Sequence, residues 1–360
     1  MRAPNEIDFW RGFALITIFI DHVPGLVFEN YTMRNFGLSD AAELFVFLAG
    51  WSMRLLVDGR RGRMSVLEST LRLESRAITI FTVQMILTQL ALAITAAGAL
   101  IFENPLFLEW NNAAAAFQEP VETQIGLALL THQLFYFDIL PLYVVLMFMA
   151  PLFVIADRTA RWLPLALGLT IYLATHITGM NIPTWPVEGR WYFNPFAWQL
   201  NFVLGFVVAD PKGVLSFTRN HRTLLRILAA PIVLVSLWLA LTDFTPNPLS
   251  MPQPRLLFTF DKTFAAPARI LHLLALVALF SGLFAVISRL LPSITSFLSL
   301  LGRNSLYVFS LGSITALLSQ YVRYELGSSL WVDTGVLGVG IIIMGFTAWI
   351  VEWRGRQRGS

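Results

Sequence analysis

Apolar positions along this chain run in long unbroken blocks, interrupted by short clusters of charged residues, proline and glycine. A helix that crosses a bilayer needs about twenty mostly apolar residues. Blocks of that kind lie near 8–28, 40–58, 74–101, 136–156, 162–178, 195–210, 226–242, 267–289, 295–320 and 333–353, the fifth and sixth being short. The stretch 121–135 is apolar but brief, and fits a re-entrant or interfacial segment. None of the blocks alternates polar with apolar residues. An open sheet cannot satisfy its edges in lipid, so a barrel is disfavoured. The pattern predicts an all-α polytopic membrane protein of about ten transmembrane helices. Residues 1–360 read as a single integral-membrane domain, because no Gly/Ser linker, low-complexity tract or internal repeat divides them.

Composition agrees. Hydrophobic residues make up 56% of the chain and charged residues 13%, about half the charged share of a soluble domain. The surface of such a chain is matched to membrane lipid, and nothing in it suits nucleic acid. The absence of cysteine excludes disulfides and cysteine metal sites. No His-Glu-x-x-His or similar spacing occurs, so no metal is expected.

The net charge of +3 matters less than its distribution. Arg60, Arg61, Arg63, Arg72 and Arg76 follow the second block, and Lys212, Arg219, Arg222 and Arg226 follow the sixth. Arg354, Arg356 and Arg358 lie in the tail, whereas 102–135 carries four glutamates and no Lys or Arg. By the positive-inside rule the arginine-rich connections and both termini are cytoplasmic. The first block is expected to be a retained span rather than a signal peptide, since Asp21 and His22 interrupt it and no small-residue cleavage site follows. Trp110, Trp185 and Trp191, in the longest outer connections, suit either an interfacial aromatic belt or stacking on sugar rings.

Ionisable residues at membrane depth are costly and mark functional candidates. In the first block Asp8, Arg11 and His22 stand at offsets of three and eleven residues. At about 100° per residue, Arg11 and His22 fall within about 20° of each other. They are roughly 16 Å apart along the axis. One helical face therefore carries a cation near the cytoplasm and an imidazole past the midplane. The alternative is an interfacial Asp8–Arg11 salt bridge and a packing histidine.

Asp8-Phe9-Trp10-Arg11-Gly12 followed by His22 resembles the first helix of the membrane-bound acyltransferase-3 superfamily, with its Arg, ten residues, then His. The run from Glu43 to Trp51 resembles that group's acidic-Leu-Phe-Phe-x-x-Ser-Gly-Phe segment, with Ala49 where serine is usual. Arg72 and Arg76 resemble its basic pair entering the third helix, and Gly302-Arg303-Asn304-Ser305 its late Gly-x-x-Ser segment. Ser39-Asp40-Ala41-Ala42-Glu43, the stretch from Asn194 to Gln199, and Arg269 with His272 are most similar to the OpgC family, which modifies osmoregulated periplasmic glucans.

The resemblance implies a bacterial inner-membrane O-acyltransferase. An acyl group, succinyl above all, would pass from cytoplasmic acyl-CoA, a co-substrate rather than a bound cofactor, to hydroxyls of a periplasmic glucan. A sugar hydroxyl is a poor nucleophile at neutral pH, and a histidine within reach can take its proton. His22 is the expected general base, by direct transfer or through an acyl-histidine, with Arg11, Asp8 and Glu43 completing the catalytic set. No Gly-x-Ser-x-Gly elbow is present. CoA phosphates and a succinyl carboxylate call for arginines: Arg11, Arg72, Arg76 and Arg303 are the donor-binding candidates. Tyr136, Asp138, Trp198, Gln199, Lys262, Arg269 and His272 are the acceptor-binding candidates. For these the plainer roles are a helix cap for Asp138, an interhelical hydrogen bond for Gln199 and snorkelling for the cations. A secondary transporter of a sugar or organic acid, or a non-enzymatic scaffold or export subunit, are the rival functions.

Overall fold

The computed structural model describes residues 3–59, 64–242 and 260–357. Arg60, Arg61, Arg63 and Arg358, counted above as topology signals, lie outside the described residues. The described residues are predominantly helical, as the pattern predicts. In order the elements are α1 (Glu6–Asp21), α2 (Ala41–Asp58), α3 (Val66–Ile101), α4 (Ala114–Gln118), α5 (Pro120–Ala128), α6 (Ile139–Thr159) and α7 (Leu163–Thr178). A small hairpin follows, β1 (Pro183–Thr184) and β2 (Gly189–Arg190), with Pro183 opposite Arg190. Then come α8 (Pro195–Val208), α9 (Val214–Asn220), α10 (Arg222–Leu241), α11 (Pro267–Phe280), α12 (Leu283–Leu290), α13 (Pro292–Arg303), α14 (Ser305–Leu326) and α15 (Leu330–Gln357).

The all-α membrane architecture is as expected, while the count of about ten spans is not confirmed. Among the described residues five helices are long and apolar enough to cross a membrane: α3, α6, α10, α14 and α15. Helices α11 and α12 together would make a sixth, bent by 53° at their break. The expected ninth span, 295–320, is two helices. The polar run Arg303-Asn304-Ser305 divides it, and Asn304 leaves the helical region at φ −105°, ψ 28°. Helices α7 and α8 are apolar but only 16 and 14 residues long. Helix α1 has 16 residues because Pro24 disfavours helix at residue 23 and Gly25 takes φ +76°.

The chain divides into two compact units. One comprises residues 1–52, 208–261 and 266–360; the other comprises 53–207 and 262–265. In the second unit α3 packs along α6, and α6 on α7. Arg54, 3% exposed, bonds Asp58 and Asp157 at 2.9 Å each and lies over the Phe206 ring. Residues 262–265 are pinned by backbone carbonyls: Lys262 accepts from the Trp198 indole, Thr263 from the Asn194 N–H and Ala265 from the Tyr172 hydroxyl.

In the first unit α1 is seated on α13 and flanked by α14 and α15. Two glycines make the seat. A Cβ at Gly12 would overlap the carbonyl oxygen of Leu298, and one at Gly302 the carbonyl oxygen of Asp8. Farther along, Gly340 of α15 leaves room for the Phe19 ring. Helices in lipid gain little from hydrophobic burial against one another and associate through such close packing. The obstacle at Gly302 is backbone, which cannot swing aside. Gly302→Ala should therefore cost about 1–3 kcal/mol, the usual range for overpacking. Gly335→Ala, a helical site with open space, should be neutral or stabilising. Thermal unfolding in nanodiscs checks both, and equal midpoints for the two variants would remove the seat as a determinant.

Candidate functional site

Asn5 starts α1 by accepting from the Asp8 N–H at 3.0 Å, and Glu6 and Asp8 follow in the first turn, where a helix dipole favours acids. The Arg11 guanidinium lies 4.0 Å from the Asp8 carboxylate and donates to the Leu48 carbonyl (3.2 Å) and the Ser52 hydroxyl of α2. At the other end His22 is the C-cap residue, with its N–H bonded to the Ile18 carbonyl at 3.0 Å. Its carbonyl accepts from the Gln320 amide at 2.9 Å, and its ring meets Phe309 edge-on at 6.4 Å. His22 lines a cavity of about 10 Å³ with Leu15, Phe19, Phe309, Ser313 and Met344, space for about one water. The Ser313 hydroxyl is buried and has no partner among the described residues. Leu15 and Ile18 continue the stripe from Arg11 to His22 and line the same cavity; Arg11 lies outside that lining.

The chain just after His22 is clamped. Arg323 donates to the carbonyls of Pro24 and Gly25 and pairs with Asp333 at 2.8 Å, and Asp333 accepts from the Val27 N–H at 2.8 Å. Sequence reasoning missed Gln320, Arg323 and Asp333. No motif marks them, and their contacts with the His22 loop cross about three hundred residues.

A second cluster forms where the α1–α2 connection enters α2. Asp40-Ala41-Ala42-Glu43 is a capping box: Glu43 accepts from the Asp40 N–H (2.9 Å) and Asp40 from the Ala42 N–H (2.8 Å). Both carboxylates also meet Arg269 of α11, at 2.6 Å from Glu43 and 3.3 Å from Asp40. Glu43 is fully buried. One turn along α11, His272 takes the Ser39 N–H on its Nδ1 at 3.0 Å, with the Ser39 hydroxyl 2.8 Å from the same nitrogen. A backbone N–H can only donate, so Nδ1 is unprotonated and the neutral ring carries its proton on Nε2. Beside this cluster lies a cavity of about 240 Å³ lined by Arg34, Gly37, Ser39, Asp40, Phe260 and Arg269 among others. Glu43, Arg269 and His272 are thus brought together, with Asp40 and Ser39 added. The box spacing Asp-x-x-Glu was the signal for Asp40.

The other candidates are placed elsewhere. Arg303 pairs with Glu352 at 3.4 Å, inside the first unit. Arg72 and Arg76 are exposed on the first turns of α3, Arg72 bonding Glu68 at 2.9 Å. In the second unit Trp198 is fully buried with its indole N–H on the Lys262 carbonyl. Gln199 donates to the Gly168 carbonyl of α7 at 2.7 Å, the interhelical bond its type predicts. The Lys262 ammonium rests over the rings of Tyr192 and Phe193. Tyr136 is half-buried at φ +69°. Trp191, expected to reach an interface or a sugar, is 2% exposed and part of the core. Asp138 stands at the N-cap position of α6, outside the span that begins at Ile139, and makes no side-chain capping bond. Burial pushes its carboxyl up to about 7, against the opposing pull of its own backbone N–H and the Lys262 charge.

A family model described as OpgC protein matches residues 3–356. No curated protein and no solved structure matches the chain.

Two outcomes follow from the buried charges. Glu43→Ala leaves Arg269 with half its counter-charge and should cost about 3–5 kcal/mol, the range for breaking a buried pair. Arg72→Ala, in an exposed pair, should leave the unfolding midpoint unchanged. The Asp138 carboxyl keeps its proton in the folded protein to about 7 and loses it from 3.8 upward when unfolded. The native state then binds the extra proton between those values, so stability falls as pH rises through that window. Asp138→Asn should flatten that fall and stabilise the protein above it. Unfolding midpoints that track the parent protein across the window would refute the raised pKa.

Proposed function

The chain belongs to the OpgC family, and on that footing we propose that it is a membrane O-acyltransferase modifying a periplasmic glucan, with acyl-CoA, succinyl-CoA above all, as donor. The observation that carries the reading is His22: a half-buried imidazole held by its backbone at the end of α1, facing a cavity that is otherwise apolar apart from the Ser313 hydroxyl. In such surroundings a neutral imidazole is a competent base. It removes the proton of the attacking sugar hydroxyl as that oxygen forms the ester bond to the acyl carbonyl carbon. The CoA thiolate leaves, and the proton passes from His22 to thiolate or solvent. The cavity, with space for one water, keeps bulk solvent from hydrolysing the thioester and must open to admit donor and acceptor.

Arg11, eleven residues before His22 on the same helix, is the donor-side cation of this scheme, directed by Asp8 and by its bonds to α2. Arg72, Arg76 and Arg303 are further candidates for the CoA phosphates. With the arginine-rich connections facing the cytoplasm of the bacterial inner membrane, α1 runs outward. The His22 end, the α1–α2 connection and the start of α2 then face the periplasm, where the glucan is. A transporter draws support from one feature, the 53° break between α11 and α12.

The deciding assay uses the protein in nanodiscs with succinyl-CoA labelled in the acyl group and a glucan acceptor. Native protein is expected to label the glucan, and His22→Ala, shown to be folded, to lose that activity by about a hundredfold or more. Equal labelling from both would keep the enzyme and discard His22 as base. No labelling with any of several acyl-CoA donors would shift the reading to a transporter.

A further inference from the structure

Serine and threonine hydroxyls inside a helix commonly bond back to the carbonyl four residues earlier. In α14 Ser310 does so to Leu306 at 2.7 Å, Thr315 to Leu311 at 2.7 Å and Ser319 to Thr315 at 2.8 Å. Ser313 does not. It is 4% exposed, and its hydroxyl takes neither the Phe309 carbonyl nor any other partner among the described residues. A buried hydroxyl left unbonded is costly, and more so in a membrane, where water cannot serve it.

Ser313 is also placed at His22. At about 100° per residue, Phe309, Ser313 and Gln320 lie within about 40° of one another around α14. The His22 ring meets Phe309, and the His22 carbonyl takes the Gln320 amide. Ser313 therefore stands on the same face of α14, between two residues that touch His22. Ser313 and His22 line one cavity with space for about one water, and the rest of its lining is apolar, Leu15, Phe19, Phe309 and Met344 included. Imidazole and hydroxyl thus border a space the size of one small polar group. Within apolar walls a hydrogen bond to a forming charge is worth more than in water.

We propose that Ser313 is a further catalytic residue, the donor that stabilises the oxyanion of acyl transfer. The inference rests on the acyltransferase reading, with His22 as base. The sugar hydroxyl gives its proton to His22 as its oxygen bonds to the thioester carbonyl carbon, and the C=O electron pair moves onto the carbonyl oxygen. The Ser313 hydroxyl donates to that oxygen, which carries a full charge only in the tetrahedral intermediate. Collapse restores the C=O bond and expels the CoA thiolate. Ser313 keeps its proton throughout, and His22 passes its own to thiolate or solvent. A donor that strengthens only as charge forms raises kcat more than it tightens binding. An unbonded hydroxyl in the resting protein gives up stability at a place where it serves the reaction.

The test separates activity from stability. Native protein, Ser313→Ala, Ser313→Cys and His22→Ala are compared in nanodiscs, by transfer from acyl-labelled succinyl-CoA to a glucan and by thermal unfolding. Removing a buried unbonded hydroxyl should leave the Ser313→Ala midpoint unchanged or raise it. Its kcat should fall about a hundredfold, with KM for donor and acceptor within about twofold of native. The pH profile of the remaining activity should keep its shape, because His22 is still the base. Ser313→Cys, similar in size and a weaker donor, should fall between. Native kcat in Ser313→Ala, a loss carried by KM, or a loss matched by a lower unfolding midpoint would overturn the proposal while the acyltransferase reading stands. So would acyl label found on Ser313 by mass spectrometry after incubation with donor alone, which would make it a nucleophile. No transfer by native protein from any of several acyl-CoA donors would overturn both.

Discussion

The contact between Gly12 and Gly302 sets where everything else in the first unit can stand. Each glycine lies against the other helix's backbone, so α1 and α13 approach as closely as two helices can. In lipid that closeness is the main source of helix–helix attraction. It also fixes rotation: with Gly12 turned to α13, its neighbour Arg11 is turned to Leu48 and Ser52, and His22 to Phe309. A glycine within a helix costs about 1 kcal/mol relative to alanine. Two such residues facing each other make sense only where the gap they close is worth more.

Buried charge is the second constraint. Glu43, Asp40 and Arg269 form a group in which each carboxylate also serves a backbone N–H of α2. Such a group gives little net stability compared with an apolar replacement, yet is costly to leave half made. Its retention therefore needs a reason other than stability. The adjoining cavity supplies one: Asp40 and Arg269 lie on its wall, while fully buried Glu43 holds Arg269 in place from behind. The Arg54–Asp157 pair of the second unit is buried in the same way.

The sequence was legible where physics is local. Long apolar blocks located α3, α6, α10 and α15, and the 3.6-residue period put Arg11 and His22 on one face of α1, of which only His22 lines the cavity. The Asp40–Glu43 cap is readable as Asp-x-x-Glu, but the pairing of both carboxylates with Arg269 is not. What failed depended on distance. A block of apolar residues does not tell one span from two helices broken at Asn304, because hydropathy averages over the polar triplet. Nor does it show that Trp198 and Gln199 satisfy backbone carbonyls of remote segments. Histidines differ only through partners: His272 gains its tautomer from Ser39, 233 positions away. Gly302 was noticed as part of a family segment, but its reason, the Asp8 carbonyl across the seat, is visible only in three dimensions.

The two cavities of the first unit are linked by the chain itself. The α1–α2 connection leaves from His22 and ends on Ser39 and Asp40, and it is tied at intervals. Arg323 and Asp333 hold Gly25 and Val27, Glu29 takes the Gly25 N–H and the Arg34 guanidinium, and His272 takes the Ser39 N–H. A connection fixed at both ends and in the middle behaves as a spacer rather than a loop. His22 and the wall of the larger cavity, with Ser39 and Asp40, then stand at a set separation.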